Sequence, residues 1–403
     1  MPKPTPRAAS TAHLDALDGL RAVAITLVVC VHVLGATGMA LLPDLHWRVL
    51  NVGTIGVPIF FALSGFLLYR PYARAALNRS RPPSTRAFLT RRALRVLPAY
   101  WVMLPVAMIF FNRDKIADLG LWAQMVTLTY KYDFNPPWPP GSIGLPSLGP
   151  IWSLTVEAAF YVLLPFLAAG LARISRGEPR RLLWAIGALF AASVVWTIGV
   201  RCIEYVGPVL GVDPFRILFY NEHLLPRSFQ YFALGMAMAV LAERPTRLTD
   251  AVGAAPGVAW VVGLCGLALA STPLSTPLDG PQTPTQYLVY MVLSVVVTAA
   301  VVGPVAFAPD QPLTRALLGN PLMRGLGLVS YGVFLWHSVV IDAWYALTGR
   351  DLYRFDFWLV LSVTALFSLI LATLSYTFVE RPAQRLGRRG QGSRAASAAS
   401  SAR

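Results

Sequence analysis

His32 in LDGLRAVAITLVVCVHV, Glu157 in PIWSLTVEAAFYVLLP and His337 in SYGVFLWHSVV all stand inside long apolar runs. An ionisable side chain costs about 2.5 to 3.5 kcal/mol there on insertion scales, so each is a candidate functional residue. An imidazole is the side chain best suited to take a proton near neutral pH, and a carboxylate beside it orients the ring and stabilises its charged form. That pairing suits activation of a hydroxyl. Taken singly, the same groups also serve as polar glue between helices.

Arg21 lies eleven residues before His32, which on an α-helix returns to within about 20° of the same face, with an axial separation of roughly 16 Å. One helix thus offers a cation for an anionic ligand and, deeper along the same stripe, a titratable base. In FLTRRALRVLPAYW, Arg92 and Arg95 are one turn apart with Arg91 beside them. Clustered guanidinium groups suit phosphates because each presents a planar fork of donors and keeps its charge. The same arginines would also serve as headgroup anchors. In YTFVERP, Glu380 and Arg381 precede Pro382, which should stop the helix. The pair reads as structural, bonding to the arginines of the earlier run. Ser64 lies between small residues, with Gly56 and Gly65 allowing helices to approach closely, and reads as packing. Cys30, Cys202 and Cys265 show no pairing or metal spacing and read as ordinary small core residues. No metal site is expected.

The elements that must carry these residues are membrane spans. Hydrophobic residues make up 56% of the chain and charged ones 13%, and the mean hydropathy is +0.56, far from a soluble domain with roughly 25% charge. Runs able to cross a bilayer need about 20 residues. They occur at about 17–39, 53–70, 94–112, 151–172, 182–201, 228–243, 256–272, 286–307, 326–347 and 357–379. The expected fold is therefore an all-α polytopic membrane bundle of about ten transmembrane helices, with both termini on one side. The net charge of +15 would fit nucleic acid, but 24 of the 34 Lys and Arg fall in loops of one side, 9 on the other, and Arg21 lies within a span. By the positive-inside rule both termini are cytoplasmic. The basic excess is a topology signal and no nucleic-acid partner is expected.

The first 16 residues form a cytoplasmic segment without the apolar core and cleavage site of a removable signal peptide. The loop Tyr132 to Pro150 is rich in proline and carries Trp138, either a plain connector or a stiff segment lining the mouth of a site. After Arg385 the composition becomes that of a disordered basic tail. With no further domain expected after it, the chemistry falls to the span region itself, 17–385.

Six blocks in this order, LDGLRAVAI, GVPIFFALSGFLL, FLTRRALRVLPAYW, PIWSLTVEAAFYVLLP, SYGVFLWH and SYTFVERP, make the chain resemble the acyltransferase 3 family. The family comprises membrane proteins that O-acylate sugars, cell-wall polymers and some antibiotics. The resemblance implies a ten-helix core in which the first-span arginine and histidine, here Arg21 and His32, are essential. It matches Arg92 and Arg95 to an element linked with the acyl-CoA donor, and Glu157 to the glutamate after WSLxV. The chain departs from the family pattern at Pro58 and Ala158, where an acidic residue is frequent. That bears on the acceptor more than on the reaction.

The resulting expectation is a multi-pass protein of the plasma membrane that binds no resident cofactor and uses acyl-CoA, most simply acetyl-CoA, as co-substrate. Arg92 and Arg95, with Arg91 and Arg21 in support, would hold the donor phosphates. His32, oriented by Glu157 or a backbone group, would deprotonate a hydroxyl of a sugar, glycan or secondary metabolite, with His337 on the acceptor side. An acyl-histidine intermediate is the alternative route. A proton-coupled transporter or lipid-linked flippase using His32, Glu157 and His337 as a relay is the rival reading.

Overall fold

In lipid every backbone N–H and C=O must be satisfied inside its own segment or by a neighbour, so apolar runs of this length fold as helices. The computed structural model describes residues 6–133, 138, 144–206, 209, 211, 223–277 and 282–386, and every regular element among them is helical. In chain order these are α1 (Pro6–Thr37), α2 (Leu45–Asn51), α3 (Gly56–Leu77), α4 (Thr85–Phe111), α5 (Leu119–Val126), α6 (Trp152–Ser175) and α7 (Pro179–Val206). They continue with α8 (Leu225–Glu243), α9 (Arg247–Ala254), α10 (Pro256–Ala270), α11 (Pro284–Phe307), α12 (Pro312–Leu317), α13 (Pro321–Thr348) and α14 (Phe357–Ser375). The chain is a multi-pass membrane protein built as a helical bundle.

Among the described residues, 8 helices are long and apolar enough to cross a membrane, or 9 if the pair α9 and α10, bent by 85°, forms one broken span. The bend falls where Pro256 opens α10 and has no N–H to continue the ladder from α9. The expected span at 228–243 is helical but is not among those eight. Its helix, α8, carries Arg227, Ser228, Gln230 and Glu243. The last of these pairs with Arg70 and Arg74 of α3, both at 2.8 Å. A helix enclosed by protein does not need the apolar surface that lipid demands. Each of the ten expected runs is thus helical among the described residues: eight qualify as spans on length and apolarity, one does so as part of the bent pair, and α8 is the one packed within protein.

Two close crossings position the site. A Cβ on Gly65 of α3 would stand 2.2 Å from the carbonyl oxygen of Phe232 on α8, and one on Gly235 of α8 would stand 2.0 Å from that of Ala62 on α3. The two backbones meet because neither glycine has a side chain. Around them Phe61, Phe160 and Phe232 stack with ring centroids 4.7 and 4.1 Å apart. The atom opposite Gly65 is backbone, which cannot rotate aside, so Gly65→Ala is expected to cost at least the 1 to 3 kcal/mol typical of overpacking. The check is the thermal midpoint of the detergent-solubilised variant by size-exclusion chromatography; an unchanged midpoint would contradict this crossing.

The second crossing joins α1 to α13, where a Cβ on Gly327 would lie 2.0 Å from the carbonyl oxygen of Asp18. Asp18 faces Gly327 and, further along both helices, His32 faces His337, so α1 and α13 run parallel. A separate apolar cluster, including Val29 and Val33 of α1, Ile341 of α13 and Val360 of α14, seals the far half of this contact.

After α14 the chain makes one π-helical turn, Tyr376–Glu380, and remains helical as far as Leu386. Pro382 therefore does not stop the helix. It sits in the first turn of the segment resumed after the π turn, where its missing N–H is of least consequence.

Candidate functional site

A cavity of about 490 Å³ lies between α1, α3, α4, α6, α13 and the π turn. Single-turn π segments inside helices are frequently found at functional sites. Here the turn places Tyr376 and Glu380 in the cavity wall.

The basic end of the cavity holds Arg21, Arg92 and Arg95, close enough that each charge acts on the others. Arg21 is ion-paired to Asp18, three residues earlier on the same helix, a spacing that puts two side chains on one face. The guanidinium of Arg92 lies 5.9 Å from the centre of the Tyr161 ring, within range of a cation–π contact. Buried Glu380 approaches Arg95, so the expected contact between the YTFVERP segment and the arginines of α4 is made by Glu380. Its neighbour Arg381 faces outward. Arg91 points away from the cavity, toward Tyr72 of α3. Adjacent helical residues project about 100° apart, so Arg91 cannot join the face shared by Arg92 and Arg95.

Glu157 is held differently from the expectation. Its carboxylate accepts a hydrogen bond of 2.5 Å from Ser64 Oγ and lies beside Arg92 and Tyr161. His32 instead donates from Nδ1 to the carbonyl of Val28 at 2.8 Å, and its ring meets His337 edge to face with centroids 4.9 Å apart. The orienting group for His32 is thus its own backbone, the second option left open by the sequence. Ser64, read from sequence as packing, is a ligand of Glu157, while its neighbour Gly65 supplies the close approach.

His337 is fully buried and donates from Nδ1 to Phe334 O at 2.7 Å. With Nδ1 committed to backbone in both rings, the Nε2 atoms carry the lone pairs. His337 Nε2 has no partner among the described residues. Val28 and Phe334 line the inner end of the cavity, and His32 and His337 stand one turn beyond them. Arg21, Val28 and His32 therefore form one stripe from the basic mouth to the imidazole pair.

Among the described residues of the loop read as a possible mouth, 132–133, 138 and 144–150, none lines this cavity, and the rest of that loop lies outside the described residues. Trp138 is buried and packs edge to face on Tyr130 at 5.6 Å. Lys131 lies 5.6 and 5.5 Å from the Tyr130 and Trp138 ring centres, and burial pushes its ammonium down to about 8. Ser147 ties the end of the loop to α13 by a 2.6 Å hydrogen bond to Asp342. Sequence reasoning missed Asp18, Ser64, Tyr161 and Tyr331, all in the cavity wall. Asp18 and Tyr161 were within reach of it, since Asp18 is three residues before Arg21 and Tyr161 four after Glu157. Ser64 and Tyr331 were not, because their roles depend on which helices pack together.

The arrangement defines a class: a membrane bundle with an internal cavity that is cationic at one end and stops one helical turn short of two imidazoles at the other. Residues 14–377 match the family described as an acyltransferase domain, and the chain belongs to that family. It is 28% identical over 394 residues to the peptidoglycan O-acetyltransferase OatA of Listeria monocytogenes, covering 94% of this chain and 57% of that protein. It is 29% identical over 400 residues to the putative peptidoglycan O-acetyltransferase YrhL of Bacillus subtilis, covering 93% of this chain and 55% of that one. The acyltransferase MdmB of Streptomyces mycarofaciens is 28% identical over 401 residues, covering 94% of this chain and 93% of MdmB. The chain thus spans little more than half the length of the two peptidoglycan relatives. No solved structure matches it.

Proposed function

We propose that this protein transfers a short acyl group, most simply acetyl, from cytoplasmic acyl-CoA to a hydroxyl of a sugar, glycan or macrolide-like acceptor. The observation that carries the reading is the stripe from Arg21 past Val28 to His32, along which the cavity runs from three guanidinium groups to within one helical turn of the imidazole pair. A donor with phosphates at one end and a thioester at the end of a flexible arm has that layout. Arg92 and Arg95 hold the phosphates, with Arg21 in support, and the thioester reaches the inner end. The basic side faces the cytoplasm by the distribution of Lys and Arg.

His32 Nε2 then takes the acceptor hydroxyl proton as the oxygen attacks the thioester carbonyl. The C–S bond breaks and the thiolate leaves as CoA after taking up a proton. Glu157 is a positioning residue in this scheme. Fixed by Ser64, it holds Arg92 against Tyr161.

The test is transfer of labelled acetyl from acetyl-CoA by membranes containing the protein, with a sugar or macrolide acceptor. Substrate uptake into sealed vesicles without consumption of acetyl-CoA would instead support the transporter reading. Ser64→Ala is expected to slow transfer roughly tenfold, on the scale of one hydrogen bond to a charged group. The loss should appear mainly in the donor KM, because Glu157 acts through Arg92. A fall confined to kcat would place Glu157 at the reacting atoms.

A further inference from the structure

A second cleft, also of about 490 Å³, lies at the basic end of the bundle and is lined by α3, α4, α6 and the two segments that follow α3 and α6. It continues the first cavity along three helices in the same direction. On α3 the lining passes from Leu68 of the inner cavity to Tyr72 of the cleft, and on α6 from Tyr161 to Pro165, one turn in each case. On α4 it passes from Arg92 to Thr85.

The cleft combines apolar faces with two cations. Arg79 and Arg176 both line it, and both hold left-handed backbone, with φ of 50° and 49°, a conformation that residues with a side chain seldom adopt. Arg79 donates to the Arg176 carbonyl at 2.8 Å. It lies against Gly177, itself at φ +85°, where a Cβ would stand 2.9 Å from Arg79 Nε. The Arg79 guanidinium is thereby tied to the backbone at Arg176, so that both arginines line one rim, and each has further donors to offer. Independently, Tyr72 lines the cleft, and its hydroxyl is buried with no hydrogen-bond partner among the described residues. Such a group calls for an explanation, and a ligand acceptor supplies one. Arg91, turned away from the inner cavity, adds its charge on this side.

We propose that this cleft takes the adenosine 3′-phosphate end of the acyl-CoA donor. The base lies on the surface made by Tyr72, Pro82, Pro83 and Pro165, and the 3′-phosphate meets Arg79 and Arg176. This rests on reading the inner cavity as the donor site. The alternative source of the same phosphate chemistry is an anionic lipid headgroup.

The experiment is equilibrium binding to the intact protein in nanodiscs of zwitterionic lipid, with and without phosphatidylglycerol. The probes are CoA, dephospho-CoA, which lacks the 3′-phosphate, and 4′-phosphopantetheine, which lacks the nucleotide. Wild type is expected to bind CoA at least tenfold more tightly than either of the others, the scale of one charge-assisted contact. In Arg79→Gln/Arg176→Gln the preference should shrink to about twofold, with affinity for 4′-phosphopantetheine unchanged, which also shows that the variant is folded. Tyr72→Phe should weaken CoA and dephospho-CoA alike by about threefold. An undiminished CoA preference in the double variant would overturn the proposal, as would a preference abolished by phosphatidylglycerol, which would make the cleft a headgroup site. Equal affinity of wild type for CoA and 4′-phosphopantetheine would overturn the subsite alone. No binding of either would remove the donor reading together with it.

Discussion

His32→Ala is expected to lower acyl transfer by 10² to 10⁴-fold, the usual contribution of a positioned general base. The loss should fall on kcat, with the donor KM little changed, because Arg21 lies about three turns away along α1, and Arg92 and Arg95 of α4, proposed to hold the phosphates, line the same basic end. The fold should survive the change. The described hydrogen bond of the His32 ring is to the carbonyl of Val28 on its own helix, and alanine is the better helix former. Unaltered transfer by His32→Ala would remove the proposed base, so the rate must be read beside a thermal midpoint within a few degrees of wild type. His337→Asn separates the two imidazoles. If His337 only packs against His32, it should cost far less than His32→Ala.

Arg92→Ala is expected to raise the donor KM by 10 to 100-fold, with a smaller fall in kcat, as follows from losing a charge-assisted contact to phosphate. Arg92 stands at the meeting point of the site: it lies on the Tyr161 ring and beside Glu157. Removing it also leaves Glu157 without that cation, so Arg92→Lys is the informative companion. Lysine restores the charge without the planar fork, and should recover part of the KM if the arginine is a phosphate ligand. Initial rates over a range of acetyl-CoA concentrations decide the matter. A fall in kcat alone, with KM unchanged in both variants, would contradict a donor-binding role.

Much of this design is local to single helices and therefore legible in the sequence. Composition and run length identify a membrane bundle and locate its long helices, including α8, which falls short of a lipid-facing span in apolarity because protein packs around its polar residues. The stripe of Arg21 and His32 and the shared face of Arg92 and Arg95 follow from 3.6 residues per turn, whatever the neighbours are. The exclusion of Arg91 follows from the same periodicity.

Contacts between helices were beyond its reach. The sequence pairs Glu157 with His32 on chemical suitability alone, but α6 packs against α3, so Glu157 meets Ser64. α1 lies along α13, so His32 meets His337. The second pairing is decided by where backbones can approach, at Gly327 against Asp18; Gly65 and Gly235 fix α3 on α8 in the same way, and the π turn brings Glu380 to the cavity wall. Helical periodicity assigns a face to each residue from its own neighbours in the chain. Which face it meets depends on interdigitation across hundreds of residues, and that the tertiary structure alone decided.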